Sequence, residues 1–114
     1  MQEVKSITVK ELKDMAERMY GGRLVKAVVD VSQERVVVDA EMHVDEEAYL
    51  LENGSRQGDL WGFNLYPDRF GQDDFIEFDS MVNLRPSQNN LSRGVEDETI
   101  RRSIVNIISR VVRG

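Results

Sequence analysis

The stretch LVKAVVDVSQERVVVDAEMHV, Leu24–Val44, decides the fold class. Its first run is β-branched and alternates, with Val25, Ala27, Val29 and Val31 on one face. Its last ten residues alternate again: Val36, Val38, Ala40, Met42 and Val44 face one way, and Arg35, Val37, Asp39, Glu41 and His43 the other. Side chains of a strand point to opposite faces in turn, so each run reads as a strand with one buried face. Only Ser32-Gln33-Glu34 separates them, which predicts an antiparallel hairpin.

Upstream, Thr8 and Glu11 have the spacing of a capping box. Leu12, Met15, Ala16 and Met19 follow at helical intervals, and Gly21-Gly22 stops the helix. Downstream, Asp45 is expected to cap a short helix over residues 46–52, closed by Asn53-Gly54. Leu60–Tyr66 reads as a third strand with Trp61, Phe63 and Leu65 inward. Phe75–Leu84 reads as a fourth, with Ile76, Phe78, Val82 and Leu84 inward and Glu77, Asp79, Met81 and Asn83 outward. Residues 86–96 are irregular. Asp97 then caps a last helix whose Ile100, Ile104, Ile107, Ile108, Val111 and Val112 form one apolar stripe. The expected fold is α+β in αββαββα order: a mainly antiparallel four-stranded sheet, helices on one face, the other face open and polar.

The chain has 114 residues, the length of one domain with one core. It contains no cysteine, which excludes thiol nucleophiles, thiolate zinc sites and disulfides. No apolar run approaches a membrane span and residues 1–6 do not read as a signal peptide, so a cytoplasmic protein is expected. Fifteen basic residues against 21 acidic give a net charge of −6, which argues against nucleic acid as the partner. Arg101, Arg102, Arg110 and Arg113 on the last helix read as a solvated face.

Several stretches taken together resemble a known family: Glu41-Met42-His43, the run Gly54–Gly62, Tyr66-Pro67, Ile76-Glu77-Phe78, and Asn83-Leu84-Arg85-Pro86 followed by Asn89, Asn90 and Ser92. The family is one of small bacterial proteins catalogued only as a domain of unknown function. The resemblance implies a free-standing prokaryotic protein and carries no catalytic roles.

Four features could hold chemistry. His43 is the only histidine, and on a strand it would share a face with Asp39 and Glu41, a possible ligand set. Three ligands in a D-x-E-x-H pattern without a second histidine read more simply as a surface histidine among acids, so no metal and no cofactor are expected. The loop from Asn83 to Arg93 offers Asn83, Arg85 and Asn89, suited to a carboxylate or phosphate, or to bonding its own backbone. Gly58 and Gly62 flank the only tryptophan, Trp61, which reads as a core anchor with small neighbours. Glu77 and Asp79 could pair with Asp39 and Glu41 as a carboxylate dyad, but an open sheet face lacks the dry cleft such chemistry needs.

These readings favour a non-enzymatic binding or interaction domain, with a homodimer as a possible working unit. The alternative is a small enzyme or ligand-binding domain with a polar site of Glu41, His43, Asn83, Arg85 and Asn89.

Overall fold

The computed structural model describes all 114 residues. It is α+β, with ten elements in the order β1 (Gln2–Val4), β2 (Ile7–Thr8), α1 (Val9–Tyr20), β3 (Val25–Asp30), β4 (Arg35–Val38), α2 (His43–Glu52), β5 (Leu60–Leu65), β6 (Ile76–Glu77), α3 (Glu98–Val111) and β7 (Val112–Arg113). Five strands form one antiparallel sheet in the order β1-β4-β3-β5-β6. The remaining two, β2 and β7, pair in parallel and tie the start of α1 to the end of α3.

The β3–β4 hairpin forms with Ala27 opposite Val38 and Val29 opposite Val36. The α1 capping box forms too: Thr8 Oγ1 accepts from the Glu11 N–H at 3.1 Å, and Glu11 Oε1 accepts from the Thr8 N–H at 3.1 Å. Gly21, at φ 60°, closes that helix in the left-handed conformation. Asp97 caps α3 by accepting from the N–H groups of Thr99 and Ile100.

One sheet face carries Val25, Ala27, Val29, Val36, Val38, Trp61, Phe63 and Leu65. It meets Leu12, Met15 and Ala16 of α1 and Ile104, Ile107, Ile108 and Val111 of α3 in a single core of 19 buried residues. This fits the apolar stripes read along the two helices.

Several expectations are corrected. The sheet has five strands, not four, because Gln2–Val4 adds to β4 with Glu3 opposite Val37. The order is therefore not αββαββα. Helices lie on both faces: α2 packs over Val28, Val37 and Leu60 through Leu50, so the second face is covered. The strand expected to run to Val44 ends at Val38, because Asp39 turns to φ 70° and breaks the extended conformation. His43 is consequently the first residue of α2, behind Met42 as N-cap, and Asp45 lies in the first turn, where its charge complements the helix dipole. The expected fourth strand pairs only over Ile76–Glu77 and then gives way to a 3-10 turn at Met81–Asn83, which buries Asn83 and exposes Leu84.

Candidate functional site

The buried side of α2 is unusual for a helix on a sheet. Residues His43, Glu46, Glu47 and Leu50, at i, i+3, i+4 and i+7, are the four that face inward, and three of them are ionisable. They lie over the second face of the sheet, against β3, β4 and β5, while the segment from Ser80 to Gly94 runs along the free edge of β5.

Three of the residues singled out from the sequence converge there on the main chain of one strand. His43 Nε2 bonds the Phe63 carbonyl at 2.8 Å, which requires the proton on Nε2. Asn83 brackets Gly62: its Oδ1 accepts from the Gly62 N–H at 2.8 Å and its Nδ2 donates to the Gly62 carbonyl at 2.9 Å. Arg85 donates to the carbonyls of Leu60, of Gln57 at 2.7 Å and of Val82 at 3.1 Å, and its guanidinium lies 4.3 Å from the centre of the Trp61 ring. Residues 60, 62 and 64 have the same parity in the antiparallel ladder, so their N–H and C=O groups point away from β3. β6 pairs with β5 only at Asn64 and Leu65. Asn83 and Arg85 therefore take the place of the missing length of β6, each satisfying main-chain groups that burial would otherwise leave unbonded.

Gly62 explains the approach. A Cβ there would stand 2.6 Å from Ser80 Oγ, 2.8 Å from Ser80 Cβ and 2.9 Å from Val82 Cγ2. The glycine beside the tryptophan does admit a close neighbour, and the neighbour is the protein's own 80–83 turn.

Glu41 and Asn89 do not join this layer. Both are exposed and neither side chain makes a hydrogen bond. The Glu41 carbonyl accepts from the Tyr20 hydroxyl, and Asn89 closes the Pro86–Gln88 turn at φ 58°. Asp79 pairs with Arg93 at 2.7 Å, and Glu77 accepts from Asn64 and Tyr66. No group of three or more His, Asp or Glu side chains stands close enough to hold a metal ion.

Burial sets the electrostatics of the layer. It pushes the His43 imidazole below its ordinary pKa, with the Phe63 carbonyl opposing. It pushes the Glu46 carboxyl up to about 10, with the Ala40 N–H at 3.1 Å opposing. Glu47 is raised for the same reason and is partly held down by the charge of Arg85. Glu46 Oε1, Glu47 Oε2, Asn64 Oδ1 and Trp61 Nε1 are buried without a partner in the protein. Glu46 and Glu47 were missed at the sequence level, because a Glu-Glu pair after a helix start reads as dipole compensation on a solvated face.

A concavity of about 640 Å³ lies elsewhere, between α3 and the segment Phe70–Phe78. Phe70, Phe75, Phe78 and Val105 supply its apolar wall, and Phe70 and Phe75 meet edge to face at 5.3 Å. Arg101 stands over the Phe78 ring, 5.3 Å from its centre, with no carboxylate partner, while Arg102 reaches Glu98 at 4.0 Å on the exposed surface.

Fold and site together define an α+β domain that encloses a polar layer and carries an open groove along its last helix. Residues 3–111 match the family described as a protein of unknown function, DUF5674, and the chain belongs to that family. No curated protein and no solved structure matches the chain.

Proposed function

We propose that the protein is a non-enzymatic binding domain and that its ligand lies in the groove beneath α3. The observation that carries this reading is the groove itself: about 640 Å³, walled by aromatic rings, with unpaired Arg101 at its edge. Small-molecule sites commonly have this size and combine apolar walls with polar anchors; the polar half of this lining includes Arg101 and Arg102 and also the carboxylates Asp73 and Glu98. The occupant that fits is an amphipathic organic anion, its apolar body on Phe70 and Val105 and its carboxylate or phosphate on Arg101. Binding is favoured over catalysis because His43, Asn83 and Arg85 give their hydrogen bonds to β5.

A thermal-shift screen against aromatic and acyl carboxylates and organic phosphates tests this. A ligand at a hundred times its Kd adds about 2.7 kcal/mol, a shift of several degrees. Arg101→Ala and Val105→Trp should each abolish it. A shift that survives both variants, or none across the panel, removes the groove from the reading.

One observation favours the enzyme or polar-ligand alternative: Glu47 Oε2 and Trp61 Nε1 are both buried without partners, and Arg85 sits against the Trp61 ring. Loss of a ligand-induced shift in His43→Ala or Arg85→Ala, with Arg101→Ala retaining it, would favour that site instead.

The reading also takes the working unit to be a homodimer. Strand edges offer little for it, since β1 has three residues, β6 has two, and side chains occupy the outer side of β5.

A further inference from the structure

The groove beneath α3 does not end at Phe78. A second concavity, of about 410 Å³, adjoins it between β6 and residues 92–96, and the two share Ile76, Phe78 and Arg101. An occupant of both passes over those three residues and must be elongated. Asn90 fixes the wall formed by residues 92–96. Its Nδ2 donates to the carbonyls of Asn83, Ser92 and Gly94 at 2.7, 3.2 and 2.8 Å, and its Oδ1 accepts from the Glu96 N–H at 2.9 Å.

The main chain along that path is unpaired. β6 ends the sheet, so one of its edges has no neighbouring strand. Glu77 lies opposite Asn64, whose N–H and C=O point toward β6, so these two form the hydrogen-bonded pair of the ladder. Ile76 and Phe78 on either side then turn their N–H and C=O groups outward, and Phe78 makes no main-chain hydrogen bond. These two donor–acceptor sets stand about 7 Å apart, the spacing at which an extended chain meets an edge with every second residue. A Cβ on Gly94 would stand 3.4 Å from the Phe78 carbonyl oxygen, so the glycine leaves the approach to that oxygen open. Charge adds a second specification. Glu98 faces Arg102 at 4.0 Å and Glu96 accepts from the Leu91 N–H at 2.7 Å, which leaves Arg101, over the Phe78 ring, as the cation without a carboxylate.

We infer that the occupant of the groove is an extended peptide added to the open edge of β6, with apolar side chains against Phe70 and Val105 and one carboxylate on Arg101. This rests on the groove reading above and names its ligand class. In such additions main-chain pairing supplies affinity, and side-chain sites at alternate positions supply specificity. Two residues make a poor joint between two sheets, but a peptide is also held by the groove walls. One carboxylate is expected rather than several, because Asp73, Glu96 and Glu98 line the same path and repel further acids.

Fluorescence anisotropy of the full chain with labelled octapeptides tests it. The peptides alternate Val or Leu with Ser or Thr, carry a free or amidated C-terminus, and contain one acidic side chain or none. Those with one carboxylate should bind, and amidation separates a terminal carboxylate from a side-chain one. Arg101→Ala should erase the advantage of the carboxylate. Methylating main-chain nitrogens of the peptide should weaken binding about tenfold at alternate positions and little between them. Gly94→Val, whose side chain would sit over the Phe78 oxygen, should weaken every peptide with an unchanged circular dichroism spectrum. Binding that is indifferent to which nitrogen is methylated overturns strand addition and leaves the groove reading in place. So does a panel in which no peptide binds while a small carboxylate or phosphate still shifts the melting temperature. Equal binding with and without a carboxylate overturns the contact with Arg101. Failure of peptides and small anions alike overturns both this inference and the groove reading.

Discussion

Asn83 closes its side-chain amide on the main chain of Gly62, accepting from its N–H at 2.8 Å and donating to its C=O at 2.9 Å, as a neighbouring strand would. It also donates to the Arg93 carbonyl at 2.9 Å, joining both ends of the 80–94 segment to β5. Asn83→Ala leaves a buried donor and acceptor unpaired, each costing about 1–3 kcal/mol. We expect a loss of about 2–4 kcal/mol in urea denaturation. Asn83→Asp retains the acceptor only and should cost nearly as much. A loss below about 0.5 kcal/mol for Asn83→Ala would show that solvent replaces the amide.

Gly62→Ala tests the close approach from the other side. The new methyl would meet Ser80 at 2.6–2.8 Å and Val82 at 2.9 Å, so the 80–83 turn must move. Overpacking of this kind costs about 1–3 kcal/mol. Ser80→Gly should recover part of that loss, and strict additivity in the double-mutant cycle would contradict the contact.

Glu46 makes stability depend on pH. Below about pH 4.5 its carboxyl is protonated whether the chain is folded or not. Above that the unfolded chain loses a proton that the folded chain keeps until about pH 10. The folded state then binds more protons, so stability falls as pH rises through this window. Glu46→Gln keeps the shape and an acceptor for the Ala40 N–H. It should be more stable than wild type at pH 8 by more than about 1 kcal/mol, with a flatter profile between pH 5 and 9. Equal stabilities at pH 8 would place the ionised carboxylate in contact with water.

His43 acts with the opposite sign. Its folded pKa is pushed below 6.5, chiefly by burial. As pH falls through 6.5 the unfolded chain takes up a proton that the folded chain resists, so this residue lowers stability on the acid side. It is the only histidine, so its ring proton resonances titrate without ambiguity. A midpoint below 6.5 is expected; one at or above it would mean that the ring reaches solvent.

Arg85→Lys separates charge from geometry. Lysine keeps the charge but cannot span the Leu60, Gln57 and Val82 carbonyls or lie flat on Trp61. We expect a loss of about 1–3 kcal/mol and a change in the fluorescence of Trp61, the only tryptophan. Unchanged stability and emission would assign the segment's anchoring to Asn83 and Asn90 alone.

Local chemistry made much of this protein legible from its residues. The capping box of Thr8 and Glu11, the glycine stop at Gly21, the cap at Asp97 and the apolar stripes of α1 and α3 are satisfied within a few residues of chain. So is the β3–β4 hairpin, whose register follows from alternation across a short turn. Gln2–Val4 was not legible: three residues with one apolar side chain become a strand only because β4 offers an edge. Nor was the placement of α2, whose inward face of His43, Glu46, Glu47 and Leu50 has no apolar period to read. Polar side chains can be buried only where partners are supplied, and those partners come from elsewhere: Phe63 for His43, Ala40 for Glu46, Gly62 for Asn83, Leu60 for Arg85. Sequence periodicity thus determined which segments could be helix or strand, while only the tertiary structure decided whether a histidine, an asparagine and an arginine would face a ligand or a strand of their own sheet. The reason is that hydrophobic burial follows from local pattern, whereas satisfying a buried hydrogen bond depends on which distant backbone group arrives beside it.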